Sequence, residues 1–445
     1  MISKIRITMK RSFCLPCLLL ACQSSAPAAI AAAPVPTIAA PSVTMPAPVL
    51  RYADELARID ARIAAVLTRV EAQPRGWLAL EQAANLYLTR ARLSGDYNDY
   101  AKAQEQVDRA FAVAGDGVGP FFTRVSLNFT LHRLDRVAED LATIAGFPIV
   151  TDADRRALVA LHADLAFAQG RYAEALQGFE RALAASEDVT DLSRLALYRW
   201  KTGDFLAAED LYHRALVKMR SGEGEPLAWL HLQLGLMDLG RGRHDDALAH
   251  YRDAAAELDG YWLIDEHIAE ILTLQGRTDE ALAAYADIIR RTHSPEFMDA
   301  TAAIHLAVGR TGDAERLITK AGEIYEAQLL RFPQAAYGHA LDHFLEFGED
   351  PARTLAIAEA NHRTRPNAEA KISLARAYLE AGRVDAALAI LAEALATPWN
   401  TTDLHAAAAE VYTAADDVTA ADRARARARA IDPRVFDGPP RPPGR

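Results

Sequence analysis

The chain has 445 residues, of which 60 are acidic and 49 are basic, so its formal net charge is −11. An acidic chain is a poor candidate for binding nucleic acid, because that function requires a basic stripe on the surface. Leucine and alanine dominate the composition, aromatic residues make up 7%, and runs of valine, isoleucine and threonine are nearly absent. This composition is typical of an all-helical protein.

The first 21 residues have the features of a secretory signal. Four basic residues precede an uninterrupted apolar stretch from Phe13 to Ala21, and small residues follow it. A membrane span needs roughly 20 apolar residues, so this stretch is too short to cross a bilayer. We therefore predict a cleaved signal peptide over residues 1–21. Met9 would start an equally good and shorter signal.

The end of this signal contains the sequence Leu19-Leu20-Ala21-Cys22. It resembles the lipobox of bacterial lipoproteins, and the resemblance implies cleavage before Cys22 and lipidation of that cysteine. Gln23 follows instead of the aspartate that retains enteric lipoproteins at the inner membrane. The resemblance therefore favours an outer-membrane lipoprotein that faces the periplasm over one at the cell surface. The alternative is an ordinary cleaved signal in which Cys22 occurs by chance.

Cleavage before Cys22 would remove four basic residues and no acidic ones, so the net charge would fall to −15. Cys14 and Cys17 form a C-x-x-C pair, but both lie in the segment that would be discarded. The mature chain would then have no free thiol for a redox or metal site. We predict no cofactor and no metal.

Three segments lie outside the repeated part of the chain that is described below. Residues 22–50 hold six prolines after the lipidated cysteine, and this spacing predicts an extended tether. Residues 51–75 predict a capping helix, because one stripe of it is apolar. This stripe comprises Leu56, Ile59, Ile63, Val66 and Val70. Residues 434–445 form a proline-rich tail that we expect to be disordered.

One phrase recurs along the rest of the chain. Its clear copies are GRYAEAL from Gly170, GDFLAAE from Gly203, GRHDDAL from Gly242, GRTDEAL from Gly276, GRTGDAE from Gly309 and GRVDAAL from Gly382. A weaker copy starts at Gly348 and a terminal copy at Asp416, so successive copies lie 33 to 39 residues apart. The two offsets of 39 residues, after Gly203 and Gly309, predict longer helices or loops at those places.

Small and large residues recur at fixed offsets within each copy. Five residues after most starts lies an alanine, at positions 175, 208, 247, 281, 314, 387 and 421. Four residues later lies a larger side chain, namely Phe179, Tyr212, Tyr251, Tyr285, Ile318 or Leu391. The glycine permits a turn between two helices, the alanine allows close packing, and the larger residue fills the space to the next pair.

Helix pairs that repeat about every 34 residues resemble the tetratricopeptide repeat family. The resemblance covers residues 76–433, in about nine to ten repeats, of which the amino-terminal ones are degenerate. In one degenerate copy, from Leu131, Arg133 replaces the turn glycine. The resemblance implies an all-α solenoid, a right-handed superhelix of antiparallel helix pairs. Repeats of this kind contact only their neighbours, so we expect broad unfolding.

We find no constellation that predicts an enzyme. His339 and His343 lie one helical turn apart and could bind zinc, but no third ligand is evident. Asp265, Glu266 and His267, with Glu270, form an acidic helical stretch that we also interpret as solvated or structural. The sequence contains no phosphate-binding glycine loop and no G-x-S-x-G elbow.

The resemblance implies that the first helix of each pair lines a concave face that binds a protein or peptide. Aromatic and histidine side chains on these helices are our candidate ligand groove. They are Tyr198, Trp200, Trp229, His231, Tyr261, Trp262, Tyr337 and His339. The alternative is that most of them fill the packing between repeats.

The resulting hypothesis is a membrane-anchored, non-catalytic scaffold or adaptor for assembly or secretion of envelope complexes. Two rivals remain open. One is an enzyme or metal-dependent activity in the groove, around His339 and His343. The other is a surface lipoprotein that binds a host or polymer ligand.

Overall fold

The computed structural model describes residues 50–219 and 224–437. The predicted signal peptide, Cys22, the tether before residue 50 and the tail from residue 438 lie outside these described residues. Within the two ranges, no helix is both long and apolar enough to cross a bilayer.

The described part of the chain is almost entirely helical, as predicted. Its first eleven helices are α1 Tyr52–Ala72, α2 Trp77–Ser94, α3 Tyr97–Val113, α4 Phe121–Thr130, α5 Leu134–Ala145, α6 Asp152–Ala168, α7 Tyr172–Ala185, α8 Val189–Lys201, α9 Phe205–Lys218, α10 Gly224–Gly240 and α11 His244–Glu257. The other ten are α12 Trp262–Leu274, α13 Thr278–Thr292, α14 Pro295–Ala307, α15 Thr311–Arg331, α16 Pro333–Phe347, α17 Pro351–Thr364, α18 Ala368–Glu380, α19 Val384–Leu395, α20 Thr402–Ala414 and α21 Val418–Ile431. Two short strands, β1 Leu50–Arg51 and β2 Leu258–Asp259, pair in parallel.

From α2 onward, consecutive helices pack as ten pairs within the described residues, and α1 packs against α2. The turn inside most pairs is the recurrent phrase. Its glycine has φ between 70° and 85° in every clear copy, a conformation in which a residue with a β-carbon is strained. These glycines are Gly170, Gly203, Gly242, Gly276, Gly309 and Gly382. The next residue is the N-cap and the second helix starts one residue later, so the sequence phrase marks the turn as predicted.

Two of the weaker copies differ from the expectation. In the copy from Leu131, His132 has φ of 55° and Arg133 precedes the helix α5, so His132 takes the glycine position. The assignment of that position to Arg133 was wrong by one residue. Gly348 has φ of −69°, and there the Asp350 side chain caps the helix α17 by accepting from two backbone N–H groups. Asp416, in the terminal copy, does adopt the left-handed conformation.

The packing residues of the repeat lie where the pattern places them. The seven alanines are fully buried, as are the large side chains Phe179, Tyr212, Tyr251, Tyr285 and Leu391. Ile318 is only half buried, because the 21-residue helix α15 continues past it and buries Tyr325 instead. Gly235 permits close packing of two helices, since a β-carbon there would overlap the ring of Tyr251. The chain therefore folds as an all-α solenoid of the tetratricopeptide type.

The solenoid also contacts itself over a long distance in sequence, which the repeat does not predict. The Tyr172 hydroxyl accepts a 2.8 Å hydrogen bond from the backbone N–H of Ala368. The N–H of Asn400 donates to the carbonyl of Lys201 at 2.9 Å, and the Thr402 hydroxyl donates to the carbonyl of Gly240 at 2.9 Å. These contacts join pairs that are five or six positions apart, and we call them the seam.

The helices α1 and α2 make a second long-range contact, with the middle of the array. The Trp262 indole N–H donates to the carbonyl of Leu93 at 2.7 Å, and the rings of Tyr52 and Tyr261 stack 5.4 Å apart. Strand β1 pairs with β2 beside them. The expectation that repeats contact only their neighbours therefore does not hold, because the array curls back onto itself.

Candidate functional site

The curled array encloses a cavity of about 1440 Å³. Its walls come from α1, the end of α2 and the first helices of the middle pairs, α10, α12, α14 and α16, with α15 beside them. The contact between Trp262 and the end of α2 lies at one side of the cavity.

The charge of the lining is strongly unbalanced. Eleven carboxylate side chains line the cavity, against five arginines and no lysine. The carboxylates are Asp60, Asp96, Glu225, Asp259, Glu266, Glu270, Glu296, Asp299, Glu323, Asp342 and Glu346. Arg90 pairs with Asp60 at 2.6 Å and also contacts the buried Asp99, so part of the basic charge is already neutralised.

An acidic cluster on α12 surrounds a histidine. The Nδ1 atom of His267 lies 3.0 Å from Glu266 and 3.3 Å from Glu270, and the ring stacks on Tyr251. Burial lowers the pKa of His267, but the two carboxylates outweigh it and raise the pKa to about 10. At neutral pH this imidazole is therefore a cation held between two carboxylates.

Two further histidine–carboxylate pairs join α14 to α16. The Nδ1 atom of His339 lies 2.8 Å from Glu296, and that of His343 lies 2.8 Å from Asp299. Burial opposes ionisation of Glu296, but His339 prevails and lowers the pKa of that carboxyl. His339 and His343, which we considered for zinc, thus each contact a different carboxylate. These two contacts hold α14 and α16 at a fixed spacing.

The eight candidate groove residues do not share one surface. Trp229, Tyr261, Trp262 and His339 line the cavity. Tyr198 is buried against Phe167 and Phe179 in the core.

The remaining candidates lie elsewhere. Trp200 is buried beside Lys201 and lines a smaller cavity of about 140 Å³. His231 lies next to His250, away from both cavities, and the half-buried Tyr337 lines neither of them. Most of the cavity's carboxylates were absent from the sequence-based set. The signal that could have found them is their position on first helices, notably for Glu296, Asp299 and Glu346.

No protein-family model matches the chain. Two curated relatives are similar over 102 residues at 38% identity: the photosystem I assembly proteins Ycf3 of Synechococcus elongatus and of a Synechococcus species. The match covers 21% of this chain and 56% of each relative, so the chain spans about half the length of these relatives.

Among solved structures, a tetratricopeptide repeat protein of Parabacteroides merdae is 18% identical and covers 55% of this chain and 94% of its own, with a TM-score of 0.32. A thermophilic TPR protein of Thermus thermophilus is 25% identical and covers 40% of this chain and 98% of its own, also with a TM-score of 0.32. At these TM-scores the likeness carries no functional argument. The solenoid assignment rests on the repeat and on the packing of the helix pairs.

Proposed function

We propose that this protein is a non-catalytic scaffold that binds a basic, extended segment of a partner protein inside the acidic cavity. The observation that carries the proposal is the lining itself, with eleven carboxylates against five arginines. Such an excess attracts lysine and arginine side chains and speeds their association at low salt.

The size and the aromatic walls of the cavity also fit a peptide. Pockets for small molecules usually have volumes of about 300–1,000 Å³, and this cavity is larger. The cavity lining includes the aromatic side chains of Trp229, Phe297 and Phe332. Aromatic residues are frequent anchors of protein interfaces. A segment with alternating basic and apolar side chains would match both features.

We further propose that the chain acts in assembly or secretion of envelope complexes, as an outer-membrane lipoprotein anchored through Cys22. The lipobox-like sequence before Cys22 and the proline-rich tether support the anchor. Similarity to proteins named for photosystem I assembly, over a fifth of this chain, supports a role in assembly. A surface lipoprotein that binds host or polymer ligands is the competing proposal.

A pair of charge reversals on one helix tests the binding mode. Glu323 and Glu315 are both exposed on α15, but only Glu323 lines the cavity. The probe is a short fluorescein-labelled peptide of alternating lysine, arginine and alanine around one tryptophan. Its affinity for the full-length chain is measured by fluorescence anisotropy, beside a counterpart with glutamate in place of each basic residue.

We expect the basic peptide to bind and the acidic peptide not to bind. Glu323→Lys should weaken binding roughly five-fold or more, since one charge pair at 4 Å in water is worth about 1 kcal/mol. Glu315→Lys should leave the affinity almost unchanged, and added salt should reduce the difference. Equal binding of both peptides, or equal effects of the two substitutions, would contradict the proposal.

A further inference from the structure

Two histidines and an aspartate lie together on the helix pair α10–α11, outside the acidic cavity. His231 is on α10, and His250 and Asp253 are on α11. One nitrogen of each imidazole and one carboxylate oxygen lie within 4.8 Å of one another. The close packing of Gly235 against Tyr251 fixes the register of the two helices, so the three side chains project from a rigid support.

The polar atoms of this cluster are incompletely satisfied. The Nδ1 atoms of His231 and His250 are buried, and neither makes a hydrogen bond within the described residues. A buried nitrogen without a partner costs free energy, so its presence indicates a group that the fold itself does not supply.

The surroundings of His250 match those of a metal ligand. Its other nitrogen, Nε2, lies 3.7 Å from the buried Asp238, which Arg241 and Arg243 hold at 3.5 and 3.2 Å. Metal-binding histidines commonly have a carboxylate behind them that orients the ring. The three side chains of the cluster are 21%, 24% and 62% exposed, so the cluster borders the solvent.

We propose that His231, His250 and Asp253 bind a divalent transition-metal ion, zinc being the best fit. Two imidazoles and one carboxylate form a donor set that zinc accepts, with water in the fourth position. Tetrahedral zinc requires ligand atoms about 3.3 Å apart, from bonds of about 2.0 Å. The side chain of Asp253 is 62% exposed and can rotate toward the imidazoles, and small side-chain rotations of the two histidines would bring their nitrogens to this separation.

A second acidic cluster in the cavity, Glu266, His267 and Glu270, is a weaker candidate. Its histidine already makes contacts with both carboxylates, so zinc would have to displace a proton that these carboxylates stabilise. This cluster provides a matched control.

The experiment uses the full-length chain with Cys14, Cys17 and Cys22 replaced by serine, so that thiols cannot bind zinc. Zinc chloride is titrated into this protein by calorimetry, and Co²⁺ is added separately to observe the visible absorption of a tetrahedral site. The variants are His250→Gln, Asp253→Ala, Asp238→Asn and the control Glu270→Gln. Asp253 is exposed, so its replacement does not endanger folding.

We expect about one zinc ion per chain. His250→Gln and Asp253→Ala should each weaken binding by at least about ten-fold and remove the Co²⁺ absorption, and Asp238→Asn should weaken it about 10–100-fold. Glu270→Gln should bind zinc as the parent does. Absence of binding, unchanged affinity in the Asp253 and His250 variants, or loss of binding only in the Glu270 variant would overturn the proposal.

Discussion

A methyl group at Gly170 should disrupt the seam, and Gly382 provides the matched control. Both glycines occupy the same turn position, with φ of 75° and 70°. A β-carbon at Gly170 would lie 2.7 Å from the carbonyl oxygen of Pro366 and 3.3 Å from the α-carbon of Asn367. At Gly382 it would meet no atom within 4 Å. The two alanine variants therefore differ only in the contact across the seam.

The expected magnitudes follow from this difference. Left-handed backbone at an alanine costs about 1–2 kcal/mol, and both variants should lose this much stability. Overlap with packed backbone costs a further ~1–3 kcal/mol, and only Gly170→Ala should lose it.

Urea unfolding of the full-length chain, followed by circular dichroism, measures the two midpoints. Hydrogen exchange of the segment around Pro366 should rise only in Gly170→Ala. Equal midpoints and equal exchange in both variants would refute the self-contact of the array.

Three further predictions concern the seam, the cavity and the anchor. Tyr172→Phe should lower the free energy of urea unfolding by ~1–3 kcal/mol, because it leaves the buried N–H of Ala368 without an acceptor. Tyr212→Phe should leave this free energy unchanged, since the Tyr212 hydroxyl makes no hydrogen bond within the described residues. The pKa of His267 is raised from 6.5 to about 10, so its ion pairs stabilise the folded state fully below pH 6.5, and this contribution is lost as the pH rises through 10. His267→Gln should therefore lose less free energy of unfolding than the parent between pH 7 and pH 10. Equal losses in the two proteins would contradict this. Cys22→Ser should abolish metabolic labelling with palmitate and release the protein from the membrane fraction, and unchanged labelling would exclude the lipoprotein interpretation.

The repeat unit could be predicted from the sequence because its determinants are local. Gly276, Ala281 and Tyr285 recur at fixed offsets, and each offset corresponds to one turn, one close contact or one filled space. The position of His132 was missed because a histidine rarely adopts a left-handed conformation, so the neighbouring Arg133 was taken for the turn residue.

The curvature of the whole array could not be predicted. The seam depends on small rotations between pairs that accumulate over five or six repeats, and no single repeat encodes their sum. The separation of the eight candidate groove residues onto different surfaces has a related reason. The helix α8 is buried on most sides, so its sequence does not indicate that Tyr198 packs in the core and that Trp200 lines only the smaller cavity. Nor does the sequence indicate that Trp229 on α10 reaches the acidic cavity. His231 and His250 are 19 residues apart, and only the packing of α10 against α11 brings them together.

Site-specific photo-cross-linking tests most directly whether the partner segment binds inside the cavity. A photoreactive phenylalanine derivative replaces Ile324, which lines the cavity, or Leu330, which is 88% exposed on the same helix and outside the lining. The full-length protein is irradiated with the labelled basic peptide. We expect strong labelling at position 324 and little at position 330. Labelling at position 330 that equals or exceeds the labelling at position 324 would contradict binding inside the cavity.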